Sequence, residues 1–420
     1  MELRCLDGET TGPNLPHHFP RSLSDLQSIR QANLLDNRDT AFLYFDLDRL
    51  GQRLKTLVKA FPPATRHAIA IKTNPQKEVL CFILAQGFSL EAASAEELQL
   101  ARAAGAPGDC LVFDSPVKTR EEIAWCAREL PGLILNANSL AELERLPWDG
   151  PLRLGLRINP LVSAAPDRLY DVSQGQSKFG VPISEREAIL AAFRKFPLQG
   201  LHLHVGSGAP NTLRHRQALA AVVDLARAIE ADRRAEGRPG LVFLDIGGGL
   251  SPDLSPGELA DYGAFVDQSR GQSPWELWTE FGQWVHHPVG KAFSRIEYCH
   301  PPRGDQPGQV FLHLGADLFT RQVYHRSREM EFEIFEPSGL PRKGKRGKYQ
   351  VVGPLCFAGD VLANAVDLPA PQAGDWVAIN QVGANTYGLW SRHCSRSIPK
   401  IIGQEEGQLR ILQTRQSISY

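Results

Sequence analysis

Residues 198–249, LQGLHLHVGSGAPNTLRHRQALAAVVDLARAIEADRRAEGRPGLVFLDIGGG, decide the architecture. An apolar run at 198–207 is followed by an amphipathic stretch at 216–237 and a second apolar run at 241–248. The middle stretch repeats its apolar positions at helical spacing and closes on Gly237, where a helix C-cap glycine is expected. The unit reads strand–helix–strand, and both strands end in chemistry-bearing or small residues: His202, His204 and Ser207 after the first, Gly247, Gly248 and Gly249 after the second.

The same alternation extends outward from 68 to 284. Candidate strands are AIAIK (68–72), FSLEAAS (88–94), CLVFDS (110–115), LILNANS (133–139), LRLGLRIN (152–159) and ELWTEFG (276–282), besides the two quoted above. Eight strand–helix repeats in about 215 residues predict a (β/α)8 barrel. An open doubly wound sheet is the alternative, because strand order is not written in one sequence. Polar residues gather where the apolar runs end: Lys72, Glu91, Asp114, Asn136, Arg157, His204, the glycines 247–249 and Glu280. In a barrel all of these share the C-terminal mouth, where such folds place their chemistry. The flanks differ. AFLYFDL (41–47) and the chain after about 290 look strand-rich with frequent turn signals, which predicts a β domain built from both ends. The expected division is residues 1–45 contributing to that domain, 46–290 as the barrel and 291–420 as the C-terminal β domain. The basic run PRKGKRGK (341–348) reads as a solvated hairpin tip.

Composition narrows the function. Of 420 residues, 42% are hydrophobic and 22% charged, ordinary for a globular chain. Lys plus Arg (46) nearly cancels Asp plus Glu (47), so no global field favours nucleic acid or an anionic membrane. No run of about 18 apolar residues suggests a membrane span, and the charged start MELRCLDGETTGP lacks a signal-peptide core. Seven widely spaced cysteines without a CxxC fit reduced thiols in the cytosol.

Four features carry chemistry. Lys72 ends an apolar strand before Thr-Asn-Pro, which places an amine in the mouth where it can form a Schiff base with an aldehyde; a lysine snorkelling to solvent is the alternative. Gly247-Gly248-Gly249 lets backbone N–H groups approach an anion, or simply makes a tight turn. His202 and His204 share one face of a strand, yet no third ligand at a recognisable spacing accompanies them, so no metal is expected. Glu280 is a buried acid that needs a partner, and a protonated ring nitrogen is one. An amine, a phosphate loop, a flat histidine and a carboxylate together are what pyridoxal 5′-phosphate requires.

With those residues in place, the chain resembles the fold-type III pyridoxal-phosphate-dependent amino-acid decarboxylases, the group of ornithine, arginine and diaminopimelate decarboxylases. The likeness spans about residues 41–400. AIKTNP, LEAAS (90–94), DSPVK (114–118), LRINP (156–160), QSKFG (176–180), HLHVGSG (202–208), DIGGG (245–249), EFG (280–282) and GPLCFAGD (353–360) each resemble a family motif. The resemblance implies that Lys72 bonds the cofactor and that Glu91, Arg157, His204, Ser207, Gly247, Gly248, Gly249, Glu280 and Gly282 surround it. His204 would stack on the ring and Glu280 hold its nitrogen. Cys356 would reach into a neighbouring subunit's site as proton donor, where a small buried hydrophobe is the alternative. Lys178 would pair with Asp360 across the interface, making a homodimer with shared sites.

The departures concern the substrate end. Gln283 stands where the family has Arg, Phe357 where decarboxylases of ornithine and diaminopimelate have an acid, and Asn385 where the family has Tyr, with Tyr387 two residues on as a stand-in. Arg321 and Tyr324 resemble a substrate-binding pair, Tyr324 falling one residue early. The expectation is therefore a cytosolic, homodimeric, pyridoxal-phosphate-dependent decarboxylase with a divergent substrate pocket formed in part by Arg321, Tyr324 and Phe357. A non-catalytic homologue and an amino-acid racemase are the alternatives.

Overall fold

The computed structural model describes residues 25–163, 168–325 and 328–416; the opening stretch of the chain lies outside them. Eight parallel strands follow one another in chain order around a closed barrel: Arg66–Ala70, Ser89–Ala92, Leu111–Phe113, Ile134–Ala137, Arg153–Asn159, Gly200–Leu203, Phe243–Asp245 and Glu276–Thr279. Two pairings close the ring. Trp278 and Thr279 of the eighth strand lie opposite Arg66 and His67 of the first, and Ile134 to Ala137 lie opposite Arg153 to Leu156. Closure excludes the open doubly wound sheet. The short strand Val181–Pro182 adds to the outside edge of the fifth.

Every apolar run contains a strand, and all but Arg153–Asn159 stop before the end of their run. Lys72, for example, lies in a one-turn 3-10 helix, Ile71–Thr73, not in the strand. The helices between strands form where their caps allow. Ser255 and Glu258 bond each other's backbone reciprocally at the start of Pro256–Arg270, and Thr119 and Glu122 do so at the start of Arg120–Glu129. The long helix Leu213–Ala235 ends before Gly237, which takes φ +64°.

Side chains alternate across each strand, and that parity fixes what fills the barrel. Ala68, Val112, Ile134, Phe243 and Trp278 make a separate apolar cluster inside it. The Phe243 ring occupies the centre because Gly155 and Gly200 leave room for it; a Cβ on Gly200 would lie 2.4 Å from the ring. Two residues further along the same strands, the inward positions become Asp114, Asn136, Arg157, His202, Asp245 and Glu280. An apolar plug therefore floors a polar mouth.

Strand Ala41–Asp46 lies outside the barrel. It sits between Gly290–Arg295, antiparallel, and Lys400–Glu405, parallel, in a six-stranded sheet. Phe42 stacks on Phe293 at 4.7 Å and packs against Trp376, which joins the two chain ends in one small core. A second sheet of four strands, Tyr298–His300, Gly308–Phe311, Arg346–Val352 and Val361–Pro369, completes this region. The basic run differs from a free hairpin tip, because Arg346 begins a strand paired to Asp367 and Arg342 bonds Asp375. Among the described residues no helix is long and apolar enough to cross a membrane.

Candidate active site

Lys72 is held at the mouth by backbone from both parts of the chain. The Thr73 hydroxyl donates to the Ala70 carbonyl at 2.6 Å, and the Asn385 N–H donates to the Thr73 carbonyl at 2.8 Å. The Lys72 Nζ donates to Glu91 Oε2 at 2.5 Å; the lysine side chain is 47% exposed and that of Glu91 1%. Withdrawal from water would lower the Lys72 pKa, but Glu91 and then Glu280 outweigh it, and the net shift is upward. The resting amine is a paired ammonium.

Behind it lies a cluster of buried acids and histidines. Asn136 Nδ2 donates to Asp114 Oδ1 at 2.8 Å, and the His202 ring lies between Asp114 (3.6 Å) and Glu280 (3.4 Å). Burial pushes the Glu280 carboxyl well above its usual range, reinforced by Asp114 and Asp245. Burial, then Asp114, pushes Asp245 up to about 8. Burial would raise Asp114 too, but His202 and Arg157 hold it below its usual value. His202 is pulled down to about 3 by burial despite Asp114. The resting site thus keeps Glu280 protonated, and Glu280 Oε1, wholly buried, has no hydrogen-bond partner.

The glycine loop forms the opposite wall. A Cβ on Gly247 would lie 2.1 Å from the Leu203 carbonyl, on Gly248 2.2 Å from that of Glu280, and on Gly249 1.8 Å from that of Gly206. Only glycine fits at these three positions, so the loop is pressed against the ends of the sixth and eighth strands. Gly282 is similarly crowded, by Thr73. The Gly248 N–H donates to His204 Nδ1 at 3.1 Å, which requires an unprotonated nitrogen there. Burial, Arg157 and Lys72 keep His204 neutral, its pKa well below the usual value. Arg157 itself stacks over Phe179 at 4.5 Å. Beside the loop opens a cavity of about 450 Å3, lined by Ser207, Gly208, Ser251, Gln283, Arg321, Arg328, Asn385 and neighbours.

The structure brings Lys72, Glu91, Arg157, His204, Ser207, the glycines 247–249, Glu280, Gly282 and Arg321 to one mouth. It does not bring all the expected residues there. Tyr387 donates its hydroxyl to Gln413 at 2.9 Å, and Asn385, at φ +55°, lines the cavity. Tyr324 and Phe357 stack on each other at 5.3 Å, outside the cavity lining, with His393 alongside. Cys356 is exposed beside them. Asp360 is buried, accepting from the Ala316 N–H at 2.6 Å and the Leu355 N–H at 2.8 Å, so it shapes the cysteine turn of its own chain. Lys178 lies 5.1 Å over the Phe179 ring.

Three site residues were not singled out from sequence for the roles their positions suggest. Asp245 and the wedged His202 follow from strand parity once Phe243 is known to face inward. Arg328 has no local signal at all. Asp114, His202 and Glu280 also bring one ligand atom each within 4.8 Å of one another, an arrangement able to hold a cation. A cationic ring nitrogen fits the same place, and the adjoining glycine cradle and Lys72 favour it. The orphaned Glu280 oxygen, the loop that only glycine can line and the amine at the rim fit pyridoxal phosphate on this chain's own geometry.

Comparison with known proteins agrees. The pyridoxal-binding domain model of the pyridoxal-dependent decarboxylases matches residues 47–276, and the model of their C-terminal sheet domain matches 316–383. The diaminopimelate decarboxylase of Deinococcus radiodurans is 27% identical over 386 residues, covering 90% of this chain and 94% of that protein. That of Actinosynnema pretiosum is 29% identical over 384 residues, covering 87% and 84%. The fold matches Helicobacter pylori diaminopimelate decarboxylase in complex with L-lysine at TM-score 0.81 and 22% identity, covering 92% of this chain and 97% of the other. It also matches the Vibrio vulnificus lysine/ornithine decarboxylase bound to putrescine at TM-score 0.74 and 21% identity, covering 92% and 100%.

Proposed function

Since the chain belongs to the pyridoxal-dependent amino-acid decarboxylases, we propose that it releases the α-carboxyl group of an amino acid with a polar far end, as a cytoplasmic homodimer, with Lys72, Glu280, His204 and Cys356 dividing the work. The observation that carries the reading is the meeting of the Lys72 amine, the unpartnered Glu280 oxygen and the glycine loop in one mouth.

Bound pyridoxal phosphate supplies an aldehyde for amines and a cationic ring that accepts the electrons left when the C–C bond breaks. Lys72 must first give up the proton that Glu91 stabilises on it. Glu280, whose proton burial enforces, would hold the ring nitrogen through that shared proton, which would give its orphaned oxygen a partner. His204, neutral and tied through Nδ1 to Gly248, presents a ring face at fixed height. Glu91, Arg157, Ser207 and Gly282 line the space around that position. Cys356 returns a proton to the α-carbon from a second copy. Its exposure, and its place outside the cavity lining of its own chain, support that direction of supply. In that assembly Lys178 faces Asp360 of the other copy, whose carboxylate already accepts two backbone N–H groups. The patch of Tyr324, Phe357 and His393 would then face the neighbour's substrate.

The test measures CO2 release from meso-diaminopimelate, lysine, ornithine, arginine and other amino acids with pyridoxal phosphate added, for wild type and Lys72→Ala. Release that vanishes in Lys72→Ala is the expected result. Wild-type protein that binds the cofactor yet releases CO2 from none of them overturns the proposal.

A further inference from the structure

We propose that Arg328, held by Asp253 and acting with Arg321, is a cation pole for an oxyanion in the cavity beside the glycine loop. The anion is the cofactor's phosphate or an acidic group at the far end of the substrate, and the proposal rests on the decarboxylase reading above.

The cavity's barrel wall offers neutral donors only: Ser207, Ser251 and Gln283. Both of its guanidinium groups come from the other side, on the segment that follows Phe319. Arg321 stacks 5.1 Å over Tyr170 and has no carboxylate partner among the described residues. Arg328 Nη2 donates to Asp253 Oδ1 at 2.5 Å and to Gln381 Oε1 at 3.2 Å. Two acceptors fix the orientation of that guanidinium but engage only part of its five N–H donors. His287, also in the wall, is pushed down to about 4 by burial and is uncharged at neutral pH. The lining therefore sets two guanidinium groups against the single carboxylate of Asp253, an excess of positive charge in a concave site about 450 Å3 in volume. Planar, multidentate guanidinium is the side chain best matched to phosphate or carboxylate. Gln381 also holds Arg328 Nη2, so the main effect of Asp253 on a bound anion is to cancel part of the guanidinium's charge.

The alternative is a structural ion pair with no ligand, and the two readings differ in sign. If Arg328 and Asp253 merely brace each other, Arg328→Gln and Asp253→Asn break the same bridge and act alike. If Arg328 binds an anion, Arg328→Gln weakens the anion and Asp253→Asn strengthens it, by removing a competing negative charge.

The full-length protein, freed of cofactor, is titrated with pyridoxal phosphate, pyridoxal, inorganic phosphate and glutarate by fluorescence and calorimetry. The reconstituted enzyme is assayed for kcat/KM on meso-diaminopimelate against lysine. Arg328→Gln is expected to weaken one anion about tenfold or more, the loss of a charge-assisted hydrogen bond. Arg328→Lys retains part of that affinity, and Asp253→Asn raises it. If the anion is the cofactor's phosphate, pyridoxal phosphate and inorganic phosphate weaken while pyridoxal is unaffected. If it belongs to the substrate, cofactor affinity holds, glutarate weakens and the preference for the diacid over lysine falls. Unchanged affinities for all four probes in Arg328→Gln, or Gln and Asn variants moving in the same direction, overturn the proposal. Anion affinity that responds as expected in a protein releasing no CO2 sinks the decarboxylase reading alone.

Discussion

Lys72 Nζ and Glu91 Oε2 stand 2.5 Å apart, the lysine side chain half exposed and the carboxylate sealed. This pair makes the resting amine a poor nucleophile, because only its neutral form attacks an aldehyde. Glu91→Gln removes the largest upward influence on the Lys72 pKa while keeping the side chain's shape. Cofactor capture, followed by visible absorbance against pH, is expected to reach half its maximal rate at lower pH in Glu91→Gln than in wild type. An unshifted profile would mean that another group governs the amine.

The Phe243 plug makes a paired prediction. Gly200→Ala drives a methyl group into the ring and is expected to cost about 1–3 kcal/mol or more in denaturant unfolding. Phe243→Ala leaves a cavity and costs about 3–5 kcal/mol. Because the two sites touch, Gly200→Ala combined with Phe243→Leu should lose less than the two single changes summed. Simple additivity would show that the ring does not rest on Gly200.

Acid should unfold the protein early. Burial lowers His67, His215 and His287 to about 4 and His202 and His286 to about 3. Each binds fewer protons folded than unfolded, so its contribution is present above the unfolded value of about 6.5 and is lost as pH falls toward the folded value. Glu97 and Asp245, raised to about 7 and about 8, act in the opposite sense and erode stability as pH rises toward those values. Thermal scans of the cofactor-free protein are expected to peak near pH 6.5, about where the two trends cross. His286→Leu, remote from the mouth's acids, should flatten the acid limb by about 1.4 kcal/mol per pH unit. A limb of unchanged slope would clear the buried histidines.

If Cys356 serves a neighbour, inactive variants should complement each other. Lys72→Ala mixed with an equal amount of Cys356→Ala, after dissociation and reassociation, is expected to recover about a quarter of wild-type activity, since half of randomly formed dimers hold one intact site. No recovery would place the cysteine's work within its own chain.

The barrel was legible because parallel strands covered on both faces read as unbroken apolar runs, and eight such runs survive their polar ends. Their ends were overextended for the same reason: Lys72 and His204 belong to turns that continue the run's composition but not its ladder. Glycine positions were legible as a run, whereas the carbonyls that exclude a Cβ from them come from distant strands. In the sequence only nearness to Asn385 marks Tyr387. Backbone at φ +55° brings Asn385 into the cavity, and the Tyr387 hydroxyl is taken up by Gln413, a strand partner far along the chain. Arg328 was invisible because only tertiary packing sets it beside Asp253.

Strand Ala41–Asp46 leaves the ribosome before any barrel strand, yet one neighbour in its sheet begins at Gly290 and the other at Lys400. Its row of amides and carbonyls must wait through the synthesis of the entire barrel, an unpaired edge open to mispairing in the interval. The parallel pairing of Phe42 with Lys400 has the high contact order that slows folding, and it ties the first described strand to one of the last. Cutting the chain between barrel and sheet would therefore not yield two independent halves: each piece would carry a strand whose partner lies on the other.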